Sequence, residues 1–452
     1  MMMLAEAAHW IGAPPPPRDA RIERVTTDSR AIRPGDLFVA LPGERVDGHD
    51  FAAAALSAGA AGVLLARDLG LATQIVVPDS RLALGRLARA WRAKFTLPLI
   101  AVTGSNGKTT VTQMLRAILV AHAGEAAFYT EGNLNNDIGL PLTLLRLRAG
   151  HRIGVVELGM NHPGEIDLLA GIAAPTIALV NNAQREHQEF MKSVADVAAE
   201  NGAVFAHLPA HGVAVINADD EFAGYWRGLT RGANVVDFGL TTSADITARH
   251  QAAMYGSHVE LMTPDGNVEF VLRIAGRHNV ANACAAAACA HAAGVPLAAV
   301  AAGLSAFMPY AGRLQKKLAT GGAVVLDDTY NANPDSVRAA IDVLTGIDGL
   351  KVLVLGRMGE VGDQGPQFHH EVGSYAKSCG VDHLLTFGVE TDPAVEGFGI
   401  GGVRYPDIDM VNHAALELAR PGTTLLVKGS RSARMERVVA ALTGEAAGGA
   451  HR

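Results

Sequence analysis

The chain has 452 residues, and 38 Lys and Arg against 45 Asp and Glu give it a net charge of −7. This length predicts two to four domains, with three as the central expectation. The acidic balance argues against general binding to nucleic acid or to an anionic membrane. Cys284, Cys289 and Cys379 lack metal-ligand spacing, and so few cysteines in a long chain are typical of a reduced cytosolic protein. We therefore expect a soluble, cytoplasmic protein without disulfides.

Residues 1–96 form the first predicted unit, a small α/β domain. Short strands are predicted at 37–41, 62–65 and 74–77, with helices between them. The first ten residues lack a basic region and carry Glu6 and His9 inside an apolar stretch. They therefore do not have the pattern of a signal peptide.

The most informative motif of the chain follows an apolar run at 97–102 and precedes a helical pattern that begins at Val111. Its glycines let backbone N–H groups turn toward an anion, its lysine supplies a charge for the outer phosphates, and a threonine hydroxyl can bind Mg²⁺. Val102 takes the place of the first glycine of the longer Walker pattern, so the match is to the shorter Gly-x-x-Gly-Lys-Thr form. The flanking strand and helix favour a phosphate loop over an incidental Gly-rich turn. We predict that ATP, or another nucleoside triphosphate, binds to Gly104, Asn106, Gly107, Lys108, Thr109 and Thr110.

Residues 97–312 form the second predicted unit. Strands at 153–157, 176–180 and 212–217 alternate with helices, which is typical of a doubly wound, mostly parallel sheet. Ligands of such sheets bind beyond the carboxyl ends of the strands, and Glu157 falls at one of these ends. Its carboxylate can bind Mg²⁺, and His187, after the next strand, could reach a second metal. Taken alone, the two side chains could also be solvent-exposed groups of a strand end and a loop.

The remainder of the chain predicts further α/β structure. A hairpin is predicted over 257–274, and the alanine-rich stretch 281–308 reads as two packed helices rather than a membrane span. After a linker at 309–313, a third unit (residues 313–452) has strands at 323–327, 351–355, 383–387 and 423–428. This alternation predicts a Rossmann-like α/β domain.

A dense polar segment, Asp327–Ser336, directly follows an apolar strand of the third unit. Its carboxylates could hold a ribose, and its amides could orient a peptide group. Asn, Pro, Asp and Ser also occur together in turns that cap a helix. We favour a functional segment, and the capping interpretation stays open.

Many motifs occur in the order and spacing of one known family, and the chain resembles the Mur ligases over almost its entire length. The resemblance is strongest to the branch that adds D-alanyl-D-alanine. The motifs are Thr26–Arg30, Asp47–Asp50, the phosphate loop, Gly132–Asn136, Glu157–Met160, Gly276–Asn282, Gly312–Arg313, Asp327–Ser336 and Lys428–Arg431.

This resemblance implies a three-domain ligase, with an N-terminal domain for a uridine nucleotide, a central ATPase and a C-terminal domain that closes onto it. The implied reaction uses ATP and Mg²⁺ to join D-alanyl-D-alanine to UDP-N-acetylmuramoyl-tripeptide through an acyl phosphate, in peptidoglycan precursor synthesis. No motif fixes the third residue of the tripeptide. We expect the enzyme to be a monomer.

The resemblance also assigns roles to individual residues. The implied catalytic groups are Lys108, Glu157, His187 and Arg313, and the implied Mg²⁺ ligands are Thr109, Glu157 and His187. Asn282 corresponds to an adenine contact, and Arg313 and Asp328 correspond to contacts with ribose and phosphate. The implied substrate contacts are Ser29 and Arg30 for the uridine nucleotide, Asn135 and Asn136 for the muramoyl-peptide, and Tyr330, Asn331 and Asn333 for the dipeptide.

Two positions depart from the family pattern. The family often has a lysine, carbamylated to bridge two Mg²⁺ ions, where this chain has Asn201. An amide cannot form a carbamate, so we predict a site that needs no CO₂, with Glu200 as a further candidate ligand and Lys192 as the nearest alternative lysine. Arg357 stands where an aspartate is usual, which leaves the closure contacts of the third domain open.

Two other functions remain as alternatives. Another amide ligase of the superfamily, such as the diaminopimelate-adding enzyme or folylpolyglutamate synthase, would share the fold. The chain lacks the Asp-Asn-Pro-Arg motif of the diaminopimelate-adding enzyme, and the run 328–334 favours the dipeptide-adding branch. A P-loop switch or scaffold would bind nucleotide without ligating anything, and only an assay separates it from a ligase.

Overall fold

The computed structural model describes residues 1–43 and 46–445, and its first unit is a small α/β domain. Its elements are β1 (Met2–Met3), α1 (Leu4–Trp10), β2 (Arg21–Ile22), β3 (Arg24–Thr26), β4 (Asp36–Val39), α2 (Ala52–Ser57), β5 (Gly62–Leu65), β6 (Gln74–Val76) and α3 (Ser80–Arg92). A parallel sheet has the order β3-β4-β5-β6, and β1 pairs with β2 in an antiparallel manner. The three predicted strands correspond to β4, β5 and β6, so this part of the prediction is confirmed.

The second unit is built on a six-stranded sheet whose pairings are all parallel. Its elements are β7 (Leu99–Thr103), α4 (Lys108–Ala123), β8 (Ala127–Tyr129), α5 (Gly139–Leu144), β9 (Ile153–Glu157), α6 (Glu165–Ala173), β10 (Ile177–Val180), α7 (Val194–Gly202), β11 (Val213–Asn217), α8 (Ala223–Leu229) and β12 (Asn234–Phe238). The strand order is β12-β11-β10-β7-β9-β8. Val102 pairs with Glu157, and Thr103 pairs with Val180. Three strands therefore end together beside the phosphate loop.

An antiparallel sheet and two packed helices complete this unit. They are β13 (Thr247–Ala253), β14 (Gly256–Thr263), β15 (Gly266–Leu272), α9 (Arg277–Ala292) and α10 (Leu297–Ala306). The predicted hairpin and helix pair are confirmed, whereas the sequence does not predict β13, which buries only Ala248 and lacks an apolar alternation. Helix α10 packs closely on α4, since a Cβ at Gly303 would lie 2.4 Å from the Cα of Ile118. Across the described residues, no helix combines the length and apolarity needed to cross a bilayer.

The third unit is again an α/β domain. Its elements are β16 (Gln315–Leu318), β17 (Val324–Asp328), α11 (Pro334–Thr345), β18 (Leu350–Leu355), α12 (Gly365–Ser378), β19 (His383–Phe387), α13 (Asp392–Phe398), β20 (Gly402–Tyr405), α14 (Ile408–Leu418), β21 (Thr423–Lys428) and α15 (Glu436–Thr443). The strand order is β16-β17-β21-β18-β19-β20, parallel except for β16. The four predicted strands are confirmed, while the half-exposed strands β16 and β20 are not predicted because neither has a continuous apolar run.

The central strand β7 shows how the sheet is covered on both faces. Ile100 and Val102 belong to a core with side chains of α4 and α9, whereas Leu99 and Ala101 belong to a core with side chains of α3 and α6. Alternate residues of a strand point to opposite faces, so a fully apolar strand needs helices on both sides. The first of these cores continues into α11 and α12 of the third unit. The doubly wound α/β fold is therefore confirmed.

Candidate active site

The phosphate loop lies between β7 and α4, at the carboxyl edge of the central sheet. Gly104 and Gly107 have φ angles of +131° and +84°, which glycine adopts without strain. A Cβ at Gly107 would lie 2.4 Å from Asn282 Oδ1. The backbone N–H of Asn106 donates to Asn182 Oδ1 at 2.8 Å. Both the backbone conformation and the asparagine side chains around the loop thus require glycine at position 107.

Lys108, the first residue of α4, is held by the protein itself. Its Nζ donates to the carbonyl oxygens of Gly104 and Ser105 at 2.6 and 3.0 Å, and it forms an ion pair with Glu186 at 3.0 Å. Burial raises the pKa of the Glu186 carboxyl, but Lys108 and His187 outweigh burial and hold this pKa below its usual range. The cation that a phosphate would need is therefore in place, with a buried carboxylate as its partner.

His187 lies in the loop after β10, between two carboxylates. Its Nε2 is 3.4 Å from Glu186 Oε1, and its Nδ1 is 2.6 Å from Glu360 Oε2 in the third unit. Burial opposes a charge on this imidazole, but the two carboxylates outweigh burial and raise its pKa to about 9. A metal binds only the deprotonated ring. The predicted role of His187 as a ligand of a second metal would therefore require the loss of this proton.

Glu157 ends β9 and is 2% exposed, so the alternative of a solvent-exposed glutamate is wrong. Its Oε1 accepts hydrogen bonds from Thr109 Oγ1 at 3.2 Å and from Asn135 Nδ2 at 2.7 Å. Asn136 accepts from the backbone N–H of Gly139 at 2.8 Å, at the start of α5. The fold therefore brings the predicted hydroxyl, carboxylate and amide together behind the phosphate loop.

Two cavities meet at the phosphate loop. The first, of about 410 Å³, is lined by Lys108, Thr109, Glu157 and His187. The second, of about 620 Å³, is lined by Thr110, Asn282 and Asp328. Five residues line both cavities, namely Asn106, Gly107, Arg313, Ser336 and Lys428. A triphosphate that follows the loop could thus extend from the second cavity into the first.

The third unit supplies the charged groups at the junction of the cavities. Asp328 Oδ2 lies 2.5 Å from Lys428 Nζ, and burial lowers the pKa of Lys428, although Asp328 opposes this shift. Arg313 Nη2 donates to Thr109 Oγ1 at 3.3 Å, and its guanidinium carbon lies 4.0 Å from the centre of the Tyr330 ring. Arg313 is thus brought to the phosphate loop, and Asp328 to the second cavity, from outside the central domain.

Asn333 both caps a helix and touches the phosphate loop. Its Oδ1 accepts from the backbone N–H of Ser336 at 2.8 Å in a capping box at the start of α11. Its Nδ2 donates to Asn106 Oδ1 at 2.9 Å. The capping interpretation is therefore confirmed, and it is compatible with a functional one, because Tyr330, Asn331 and Asn333 all line the first cavity.

Ser29 and Arg30 lie apart from these groups, in a short turn of the first unit. The Arg30 side chain is 88% exposed and its Nε lies 2.8 Å from Asp28 Oδ1. Neither residue is among those that line the two cavities. The first unit instead contributes Arg81 to the first cavity, where Arg81 donates to Asp137 Oδ1 at 2.6 Å.

Asn201, which departs from the family pattern, and its neighbour Glu200 both form hydrogen bonds within the second unit. Asn201 is fully buried, and its Oδ1 accepts from Thr103 Oγ1 at 2.6 Å. The two carboxylate oxygens of Glu200 accept from the backbone N–H groups of Gly164 and Ile166, both at 2.8 Å. Glu200 therefore stabilises the start of α6, which corrects the suggestion that it holds Mg²⁺.

The sequence reasoning assigned no role to four side chains of the site, namely Arg185, Glu186, Glu360 and Lys428. In the loop that carries Arg185 and Glu186, only His187 has a residue type that indicates a ligand, and no residue pattern distinguishes a buried loop carboxylate from an exposed one. Arg357 donates to Ser432 Oγ at 2.8 Å within the third unit. Within the segment 355–360, Glu360 rather than Arg357 contacts the second unit, through His187.

Comparisons with known proteins agree with this architecture. Models of the Mur ligase family match residues 21–92 (catalytic domain), 102–290 (middle domain) and 312–431 (glutamate ligase domain). UDP-N-acetylmuramoyl-tripeptide–D-alanyl-D-alanine ligase of Escherichia coli (strain K12) is 41% identical, over 94% of this chain and 94% of that protein. A crystal structure of MurF from Acinetobacter baumannii is 35% identical, with a TM-score of 0.91 over 97% of this chain and 98% of that one. MurF ligase from Thermotoga maritima in complex with ADP is 27% identical, with a TM-score of 0.82 over 94% of this chain and 97% of that one. The chain therefore belongs to the Mur ligase family.

Proposed function

We propose that the chain joins D-alanyl-D-alanine to UDP-N-acetylmuramoyl-tripeptide, with ATP as the energy source, and so forms a C–N bond in peptidoglycan precursor synthesis. The observation that carries this proposal is the junction of two cavities at the phosphate loop, where Arg313 lines both cavities and Lys108 lines the first. The Escherichia coli relative is named for this activity, and the aligned region covers 94% of each chain. The ADP in the Thermotoga maritima structure supports ATP as the nucleotide.

The chemistry requires activation of a carboxylate, because a carboxylate does not react with an amine at neutral pH. In the proposed first step an oxygen of the tripeptide carboxylate forms a bond to the γ-phosphorus of ATP, and ADP leaves. The neutral amine of the dipeptide then bonds to the acyl carbon, the bond from that carbon to the phosphate oxygen breaks, and the nitrogen loses one proton, which leaves an amide N–H and free phosphate. Such a phosphoryl transfer needs positioning and charge neutralisation, which Lys108 can supply in the first cavity and Arg313 at the junction of the two cavities.

Mg²⁺ fits the oxygen donors behind the phosphate loop. Thr109 and Glu157 would hold it, because Mg²⁺ usually takes only one or two protein carboxylates and completes its shell with phosphate oxygens and water. When bound, the ion neutralises charge on the phosphates. His187 remains a candidate ligand for a second ion.

The placement of the three substrates also belongs to the proposal. We assign the uridine nucleotide to residues 1–96 with Ser29 and Arg30, ATP to residues 97–312, and the ligase domain to residues 313–452. The cavity beside Glu157 would take the tripeptide carboxylate and the dipeptide, and the second cavity would take adenosine. A monomeric state and a cytoplasmic location stay predictions.

A phosphate-release assay with single omissions tests the function. We expect release only when ATP, the uridine-linked tripeptide and D-alanyl-D-alanine are all present, because the acyl phosphate forms on one substrate and is consumed by another. Release that needs only nucleotide would favour a switch or scaffold. Release with single amino acids or with glutamyl substrates in place of the dipeptide would favour another ligase of the superfamily. A panel with diaminopimelate or lysine as the third residue would define the tripeptide.

Activity is expected to be unchanged after bicarbonate depletion. The physical reason is that Asn201 is buried, hydrogen-bonded and unable to form a carbamate. Phosphate release in CO₂-free and bicarbonate-supplemented buffer checks this, with intact-mass analysis for a carbamylated lysine.

Lys192→Ala is the control, and it should retain activity because Lys192 is exposed. It precedes α7, which begins at Val194, so Lys192 and Asn201 do not lie on one continuous helix. A bicarbonate requirement that disappears together with the activity in Lys192→Ala would show that the carbamate has moved to this lysine.

A further inference from the structure

The loop Gln184–His187 contacts the phosphate loop and the third unit alternately. Gln184 Oε1 accepts from Asn106 Nδ2 at 2.6 Å, and Glu186 pairs with Lys108 at 3.0 Å. Between them, Arg185 extends to the third unit. A single short segment therefore joins the nucleotide site to the third unit.

Arg185 makes the most extensive of these contacts. Its Nη2 donates to Asp335 Oδ1 at 2.6 Å, and its own backbone N–H donates to Asp335 Oδ2 at 3.0 Å. Its Nη1 and Nη2 donate to the two oxygens of Glu371 at 2.8 and 3.0 Å. Its guanidinium carbon also lies 5.3 Å from the centre of the Phe368 ring. These partners lie on α11 and α12, so one guanidinium joins two helices of the third unit to a loop of the second.

The pairs are partly shielded from solvent. The side chains of Arg185 and Asp335 are each 23% exposed, and that of Glu371 is 31% exposed. Hydrogen bonds from Arg185 hold the pKa of Glu371 below its usual range, although burial opposes this shift. A planar guanidinium can serve two carboxylates at once with fixed geometry, which an ammonium cannot do.

We call Arg185 with Asp335 and Glu371 the clamp. Within it, Asp335 is the residue nearest in sequence to the third-unit side chains at the phosphate loop. It stands two residues after Asn333, whose Nδ2 donates to Asn106 of the phosphate loop at 2.9 Å, and one residue before Ser336, which lines both cavities. A shift of α11 relative to Arg185 would therefore move the third-unit wall of the nucleotide cavity.

We infer that Arg185 is a positioning residue, which sets the third unit on the phosphate loop through Asp335 and Glu371 and so completes the ATP site. This inference rests on the proposed function. Arg185 acts through Asn333, Glu186 and Lys108 and lines neither cavity itself. It differs from Arg313 in this respect, because Arg313 stands at the cavity junction.

The test compares Arg185→Ala and Arg185→Lys with a matched control, Arg338→Ala, in the full chain. Arg338 donates to the same Glu371 oxygen at 3.0 Å, but both partners lie in the third unit. For Arg185→Ala we expect kcat to fall and KM for ATP to rise, together roughly 5- to 150-fold. The KM for the uridine-linked substrate should not change, because its proposed site is in the first unit. Arg185→Lys should recover part of the loss, and Arg338→Ala should behave like the parent.

A second readout is ADP binding by calorimetry, which does not depend on ligation. ADP affinity should fall in Arg185→Ala and in Glu371→Gln, since Glu371 accepts from Arg185 and lines neither cavity. The double variant should bind ADP no more weakly than the single variant with the larger loss, because the two residues act as one pair. If the parent binds ADP but does not ligate, the proposed function fails while this readout still tests the clamp. Parent-like kcat and ADP affinity in a folded Arg185→Ala, or an equal loss in Arg338→Ala, would overturn the inference.

Discussion

Lys108→Ala is expected to slow phosphate release roughly 100- to 1,000-fold, a loss of about 3–4 kcal/mol of transition-state stabilisation. Lys108 Nζ is fixed by two carbonyl oxygens and Glu186, so its charge is already in place when the phosphates arrive. Alanine removes that charge and leaves the buried Glu186 beside His187 alone. The measurement is kcat and KM for ATP in the three-substrate assay.

Lys94→Ala serves as the control for this prediction. Lys94 is an exposed lysine whose Nζ lies over the Trp10 ring of the first unit, 4.8 Å from its centre, and its loss should leave turnover unchanged. Thermal unfolding of both variants shows whether they fold. Turnover of a folded Lys108→Ala close to that of the parent would contradict the assignment of the phosphate loop.

Asp328→Asn is expected to raise the KM for ATP roughly 10- to 150-fold, which corresponds to the about 1.5–3 kcal/mol of a hydrogen bond to a charged group. The structure adds a second effect, because Asp328 is the carboxylate partner of the buried Lys428. Removing one charge of a buried pair costs about 3–5 kcal/mol, so the free energy of unfolding should fall as well. Binding of the uridine-linked substrate should persist, since its proposed site is in another domain.

Asp327→Asn is the matched control, because it is the same substitution one position earlier on β17. Successive side chains of a strand point to opposite faces, and Asp327 Oδ1 accepts from Thr329 Oγ1 at 2.7 Å without lining either cavity. ATP kinetics of Asp327→Asn should match those of the parent. Calorimetry that shows loss of both nucleotide and uridine-linked substrate in a folded Asp328→Asn would contradict the division of the ligands between domains.

The chain order of strands and helices could be read from the sequence, because buried parallel strands are continuous apolar runs. Runs such as 153–157 and 423–428 agree with the strands to the residue. β13 and β16 could not be read in this way, because their stability comes from pairing with neighbours rather than from burial of their own side chains. The phosphate loop and the end position of Glu157 were likewise visible, since a local run of residues determines them.

The partners of the charged groups were decided only by the tertiary structure. Lys108 and Glu186 are 78 residues apart, Asp328 and Lys428 are 100 apart, and Arg185 and Asp335 are 150 apart. Each sequence segment shows that a charge is present, but the free energy of that charge depends on burial and on the opposite charge brought beside it. The sequence by itself therefore determined the chain order of most strands and helices and the position of the phosphate loop, because local residue patterns carry both. Domain packing decided which carboxylate holds Lys108, what neutralises Lys428 and how the third unit contacts the second.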